Sequence, residues 1–400
     1  MEKQRFIFLG GIFNDVNMVE NIKRDSKGNI QYAADIFQKA LLDGMYEFID
    51  KENLDLINIP FVGGFPLHYK KPIFVYNNNN NKVYLNNFMY IKNLSREKLA
   101  YKLLKNSILR KESVKYTIFV YSLHSPFLDA VLKIKRNFPN KNIEIVSIVP
   151  DLPEFMNLGK STNYFFNLLK TIDMKKIYKN TPHIDYFIVL TEAIAIKLGT
   201  KNFTVVEGIY KQDEVNDLEK KVYKTNTILY TGTIDKKYGI INLVNAFKNL
   251  TTDFKLVIYG EGDSREEILK ISKQNPSIIY KGLADHDVVV REQKKAKFLI
   301  NPRNPNEEYT KYSFPSKIME YMASGTPVIT SKLQGIPDEY FDFLITIDTD
   351  NDESFKTTLN NILNQDYSNF ETKGESARKF VLEKKNSKVQ IQKILKMLGI

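Results

Sequence analysis

The 400-residue chain contains no cysteine, which excludes disulfides and thiolate metal sites and fits a reducing compartment. Histidine is scarce as well. His68, His124, His183 and His286 are scattered along the chain, a spacing that argues against a histidine-rich metal centre; no metal and no cofactor is expected. No apolar run approaches the roughly 20 residues needed to cross a bilayer. The opening "MEKQRFIFLGG" runs directly into a strand pattern and lacks the apolar stretch of a signal peptide. These absences lead to the expectation of a cytoplasmic protein. The formal net charge is +11, which favours anionic partners: nucleotide phosphates, lipid headgroups or nucleic acid.

Short runs rich in β-branched and aromatic residues alternate with stretches of helical period. Strands are expected at Arg5–Gly10, Leu54–Ile59, Tyr116–Ser122, Ile143–Pro150 and Tyr186–Thr191, with a helix over Gln31–Ile49. This alternation predicts an α/β fold with a parallel sheet covered on both faces. The pattern restarts after the charged stretch 210–226, with strands expected at Thr227–Gly232, Phe254–Gly260, Ser277–Gly282, Lys297–Pro302, Pro327–Ser331 and Phe343–Asp348. The domains are therefore placed at 1–208 and 225–380, joined by a linker at 209–224, with a helix in 381–400 packing back on the first domain. The asparagine run Asn77–Asn81 reads as a solvated loop tip.

Ligands of such sheets bind outside the carboxyl ends of the strands. In the second half those ends carry "TGT" (Thr231–Thr233), "GEGD" (Gly260–Asp263) and "NPRNP" (Asn301–Pro305). Glycines there suit connections, yet several such turns on one edge suit a binding site, with Gly232, Thr233, Gly260 and Gly262 as its backbone. The segment "TKYSFPSKIMEYMASGTPVITS" (Thr310–Ser331) adds charge. Pro315 suits the first position of a short helix; Ile318, Tyr321 and Met322 recur at core spacing, and Gly325 with Pro327 ends it. Lys317 lies in the first turn, where a cation is unfavourable by roughly 0.3–1 kcal/mol unless an anion sits between it and the helix dipole. A phosphate held by the N–H groups and side chains of Ser313, Ser316 and Lys317 meets that need. Glu320, one turn on, can accept hydrogen bonds from vicinal ribose hydroxyls. The competing reading is an exposed Lys317–Glu320 salt bridge; Arg303, a second cation at the same edge, favours a diphosphate.

With these residues in view, "FPSKIMEYMASGTPVITS" resembles the signature of family 4 glycosyltransferases of the GT-B fold. "ILYTGTIDKKYGIINLVNAF", "KLVIYGEGD", "YFIVLTEAIAIKL" and "VVEGIY" follow in the family's order. The resemblance implies two Rossmann-like doubly wound domains facing a cleft. It also implies transfer of a sugar from a nucleotide-diphosphate donor with retention of configuration. It assigns Glu320, the second glutamate of an E-x7-E element, to ribose, and Gly232 and Thr233 to the turn beside the diphosphate. Asp151 matches the aspartate of a His-Asp pair near the reacting sugar; a turn or capping role is the alternative.

Departures accompany the match. Tyr312 replaces the first glutamate, Thr233 and Tyr238 replace an arginine and a lysine that hold the diphosphate, and Pro150 replaces the histidine before Asp151. The variant "NPR…SFPSKIMEYMASG" is similar to bacterial surface-polysaccharide transferases. That resemblance implies that Arg303 and Lys317 take over phosphate neutralisation here, which makes them and Asp151 the candidate catalytic residues.

The first domain is expected to meet a glycan or polyprenyl-linked saccharide acceptor. Gly10 and Gly11 can admit a ligand or simply make a tight turn. "FVGGFPLHYKKP" (Phe61–Pro72) fits an acceptor-facing loop, and His124 a structural or acceptor role. "NYFFNLLKTIDMKKIYKN" (Asn163–Asn180) interleaves apolar residues with lysines. It reads either as a surface helix packed on the sheet or as one lying on an anionic membrane at the inner face of the cell. The departures leave a second function open, a non-catalytic glycosyltransferase-like subunit that stabilises a partner enzyme. No nucleic-acid reader motif accompanies the charge.

Overall fold

The computed structural model describes residues 4–27, 30–78, 81–110, 115–155, 164–211 and 223–400. The chain divides into two compact units, Met1–Ile209 with Gln390–Ile400, and Tyr210–Val389. Most of the expected linker, residues 212–222, lies outside the described residues.

The first unit carries strands β1 (Gln4–Gly10), β2 (Leu54–Asn58), β3 (Ile73–Asn78), β4 (Asn81–Asn86), β5 (Lys115–Tyr121), β6 (Asn142–Val149), β7 (Tyr186–Val189) and β8 (Phe203–Val205). Six of them form a parallel sheet in the order β2-β1-β5-β6-β7-β8. Strand β1 sends Phe6 and Phe8 into one core with Phe119, Val146 and Ile188. The helix Tyr32–Tyr46 covers that face with Leu41, Leu42 and Met45, and the helix Ser387–Met397 adds Ile391, Ile394 and Leu395. The alternate residues Ile7, Leu9, Ile118 and Val120 are equally buried, so both faces of the sheet are covered and the strands read as continuous apolar runs.

The sequence reading missed the antiparallel hairpin β3–β4. Asn77, Asn78 and Asn81 belong to its ladder, with Asn78 opposite Asn81, so the asparagine run is mostly strand, not loop tip; residues 79–80 lie outside the described residues. Phe74 and Tyr76 alternate inward against exposed Ile73 and Val75, a half-buried pattern masked by the polar run beside it. Strand β8 was missed because three residues carry too little periodicity.

The second unit holds β9 (Thr225–Thr231), β10 (Lys255–Tyr259), β11 (Ile278–Gly282), β12 (Ala296–Asn301), β13 (Val328–Thr330) and β14 (Ile345–Thr346). They form a parallel sheet in the order β11-β10-β9-β12-β13-β14. Ile228, Leu256, Ile258, Phe298 and Ile300 face one core, and Leu229, Val257 and Leu299 face another. Strand order reverses between β9 and β12, the crevice where doubly wound sheets bind ligands. Among the described residues no helix is long and apolar enough to cross a membrane.

Candidate active site

The helix Ser316–Ala323 opens at Ser316, with Pro315 in the capping position and no side-chain cap. Pro315 thus sits one residue earlier than its missing N–H suggested. Ile318, Tyr321 and Met322 are fully buried. Their packing leaves Lys317 and Glu320 half-exposed on the remaining face, 2.7 Å apart as an ion pair. Glu320 is held from a second side as well. Gln293 donates from Nε2 to its Oε1 at 2.6 Å and lies 3.4 Å from the Thr231 hydroxyl. The N–H of Thr231 donates to the Tyr321 hydroxyl at 2.8 Å, and that hydroxyl donates to the Thr231 carbonyl at 3.0 Å. Glu320 is therefore pinned to the carboxyl end of β9, at the switch point. Sequence reasoning missed Gln293. Its only signal is that it shares a buried stripe with Val289 on the helix His286–Lys295, a polar side chain at a core position.

Arg303 follows β12 and stacks on aromatic rings, with its guanidinium carbon 4.9 Å from the centre of Tyr238 and 6.0 Å from that of Tyr309. The Tyr309 hydroxyl donates to the Lys237 carbonyl at 2.7 Å, fixing its ring edge-on to Tyr238. Hydroxyls of Ser331 and Thr349 donate to the Arg303 carbonyl. Gly239, at φ 76°, is required here, since an added Cβ would lie 1.9 Å from the Pro302 carbonyl oxygen. Arg303 thus stands over the face of the Tyr238 ring. Ser313 is half-buried and donates to the Tyr309 carbonyl at 3.1 Å, while Ser316 is exposed.

The glycines after β9 and β10 bring two loops into backbone contact. At Gly260, φ 141°, an added Cβ would lie 1.8 Å from the Gly232 carbonyl oxygen, and at Gly262 it would lie 2.2 Å from that of Ile234. The N–H groups of Gly232 and Ile234 donate to Tyr259 and Glu261 carbonyls at 3.0 and 2.9 Å. Gly260 and Gly262 therefore serve loop packing. The exposed side chain of Thr233 projects from the ledge they make.

In the first unit, Gly10 and Gly11 are also fitted to the protein itself. Cβ atoms there would meet Gln38 Oε1 at 2.4 Å and the Phe61 ring at 2.6 Å. The N–H groups of Gly11, Ile12 and Phe13 already donate to Gln38, Asn58 and Asp35 at 2.9, 2.7 and 2.7 Å. Asp151, just after β6, is reached by water although protein atoms crowd it, and that desolvation pushes its carboxyl up to about 6. His124, after β5, lies edge-on to Phe61 and Phe127 with ring centres 5.5 and 5.0 Å apart. Its Nε2 is buried without a partner among the described residues. Burial, then the charges of Arg96 and Lys92, push the imidazole down to about 3, so it is neutral at physiological pH. The helix Tyr164–Asn180 buries Ile177 and pairs Lys176 with Asp129, yet leaves Leu168, Leu169 and Ile172 exposed. Asn163 lies outside the described residues.

Residues 225–365, all within the second unit, match the family model for glycosyl transferases group 1. Solved structures resemble the whole chain. Sucrose-phosphate synthase from Thermosynechococcus elongatus superposes with a TM-score of 0.62 at 14% identity over 99% of each chain. Anabaena HepE in complex with UDP gives 0.57 at 12% over 99% of each. A Staphylococcus aureus TarM mutant in complex with fondaparinux, α-GlcNAc-glycerol and UDP gives 0.55 at 14% over 100% of each. The fold is GT-B. No curated protein matches the sequence. Within the GT-B second unit, the matched segment contains Gly232, Arg303, Lys317 and Glu320, all described above at or beside the reversal of strand order.

Proposed function

We propose that the chain is a retaining glycosyltransferase that moves a sugar from a nucleotide-diphosphate donor to a glycan or polyprenyl-linked saccharide in surface-polysaccharide synthesis. The observation that carries this reading is the set of Arg303, Lys317 and Glu320 on the elements at the switch point of a sheet matched by the group 1 glycosyltransferase family. UDP, bound by HepE and TarM, is the first nucleotide to test. Glu320 would take the ribose hydroxyls: a carboxylate accepts more hydrogen bonds than the two it now receives, and the Lys317 ammonium donates more than the one it now gives. Arg303, standing over Tyr238, supplies the cation missing at that position.

Breaking the anomeric C–O bond leaves growing negative charge on the nucleoside diphosphate. Fixed donors aimed at that charge stabilise the transition state by about 3–4 kcal/mol each in other enzymes, and Arg303, Lys317 and the first-turn N–H groups at Ser316 would do so here. Asp151 would orient the sugar or the acceptor hydroxyl as it attacks from the leaving-group side.

Lys317→Ala and Arg303→Ala should each lower transfer at least about tenfold, a loss near 1.4 kcal/mol, with the fold intact. Near-normal rates in both would remove the phosphate argument. Absence of even slow donor hydrolysis in the wild-type chain would instead favour a non-catalytic subunit.

The exposed Leu168, Leu169 and Ile172 among the lysines of their helix support peripheral contact at an anionic membrane. Co-sedimentation should be stronger with anionic than with neutral vesicles. Equal binding to both would count against this contact.

A further inference from the structure

The first unit holds two cations for which its described residues supply no counter-charge. Arg96 is 2% exposed. Its guanidinium finds only neutral acceptors, Asn87 Oδ1 at 3.2 Å and the Lys92 carbonyl at 3.4 Å. One turn earlier on the same helix, Lys92 packs its stem against Gly64, where an added Cβ would lie 3.4 Å away. Neither side chain enters an ion pair with a carboxylate among the described residues. The first turn of the helix Lys92–Arg110 has no acid, nor has that of Ser125–Asn137, which packs against it and follows His124.

Burying Arg96 beside the half-buried Lys92 without an anion costs up to several kcal/mol before compensation, and an ion pair would be the ordinary remedy. The strain is visible in the Lys92 ammonium, which burial and the neighbouring Arg96 push down to about 8. His124, within the field of both cations, adds a buried ring nitrogen that has no partner among the described residues. It follows β5, where the order of the first sheet reverses against β1, the crevice in which such sheets hold ligands.

We propose that Lys92, Arg96 and His124 form a subsite for an anionic group, a phosphate or a carboxylate, carried by the sugar acceptor. The inference rests on the reading of the first unit as the acceptor-binding one. The anion would take charge-assisted hydrogen bonds from the ammonium and the guanidinium. The imidazole would offer a neutral hydrogen-bonding nitrogen beside it.

Calorimetric titration of glucose 1-phosphate, glucuronate and glucose into the full chain tests this. At least one charged sugar should bind about tenfold or more tightly than glucose. Lys92→Gln should abolish that preference, and Lys317→Ala should keep it. The favoured sugar tells phosphate from carboxylate. In the wild-type chain, acylation of Lys92, followed by peptide mass mapping, should slow when the favoured sugar is added and not with glucose; this readout holds even if Lys92→Gln does not fold. Equal affinity for charged and neutral sugars, a preference surviving Lys92→Gln, or unprotected Lys92 would overturn the subsite. Donor hydrolysis in the same samples reports the activity separately. Lost hydrolysis with Lys92-dependent binding removes the glycosyltransferase reading and keeps the anion site, while the reverse pattern does the opposite.

Discussion

Asp151 and His124 are displaced in opposite directions chiefly by protein atoms crowding a titrating group, partially for Asp151, which water still reaches, and with the charges of Arg96 and Lys92 added for His124. For Asp151, pushed up to about 6 from an unfolded value near 4, the folded chain binds more protons than the unfolded chain in that interval. Its contribution to stability is best below about pH 4 and declines as pH rises to about 6. Asp151→Asn, which mimics the protonated form, should therefore melt higher than wild type at pH 7, with the gain fading towards pH 4. For His124, pushed down to about 3, the unfolded chain binds the extra proton, so stability is held above about pH 6.5 and lost on acidification. His124→Gln should flatten that acid limb. Melting curves from pH 4 to 8 check both, and parallel profiles for wild type and variants would contradict the burial argument. At this scale the sequence revealed charge and its departures from a signature, such as Tyr312 and Tyr238. It did not reveal partners: Gln293 reaches Glu320 from another helix, and Lys92 and Arg96 influence an imidazole about 30 residues further along the chain.

Among elements, the expected strands in both halves are present within a residue or two of their ends, because buried parallel strands advertise themselves as apolar runs bounded by turn residues. What the runs could not convey is why the intervening glycines are there. Gly260 and Gly282 look alike in sequence, each closing a strand. Yet Gly260 combines φ 141° with a backbone oxygen 1.8 Å from an added Cβ, whereas Gly282, at φ 71°, has nothing closer than the Tyr280 hydroxyl at 4.0 Å. Gly282→Ala should cost about 1–2 kcal/mol for left-handed backbone alone. Gly260→Ala should cost clearly more, because the Gly232 loop has to move, and should weaken nucleotide binding as well. Chemical denaturation with nucleotide titration distinguishes the two; equal losses would mean that the loops after β9 and β10 yield freely.

For the molecule as a whole, the helix Ser387–Met397 matters most. Ile391, Ile394, Leu395 and Leu398 follow a helical period, and the structure places them in the first core. Gln390 reinforces this by donating to the Gly208 carbonyl at 2.9 Å. Four buried apolar side chains are worth on the order of 6–12 kcal/mol as an upper bound, comparable to the whole stability of a domain. Deleting residues 387–400 should therefore leave the first unit open to limited proteolysis while the second still binds nucleotide. A protease-resistant first unit in that variant would show that its core closes without the helix. The same arrangement orders events on the ribosome. All of Tyr210–Val389 is synthesised before the segment that seals the first hydrophobic core, so the half of the protein translated earliest completes its interior last and leaves that apolar face uncovered in the meantime.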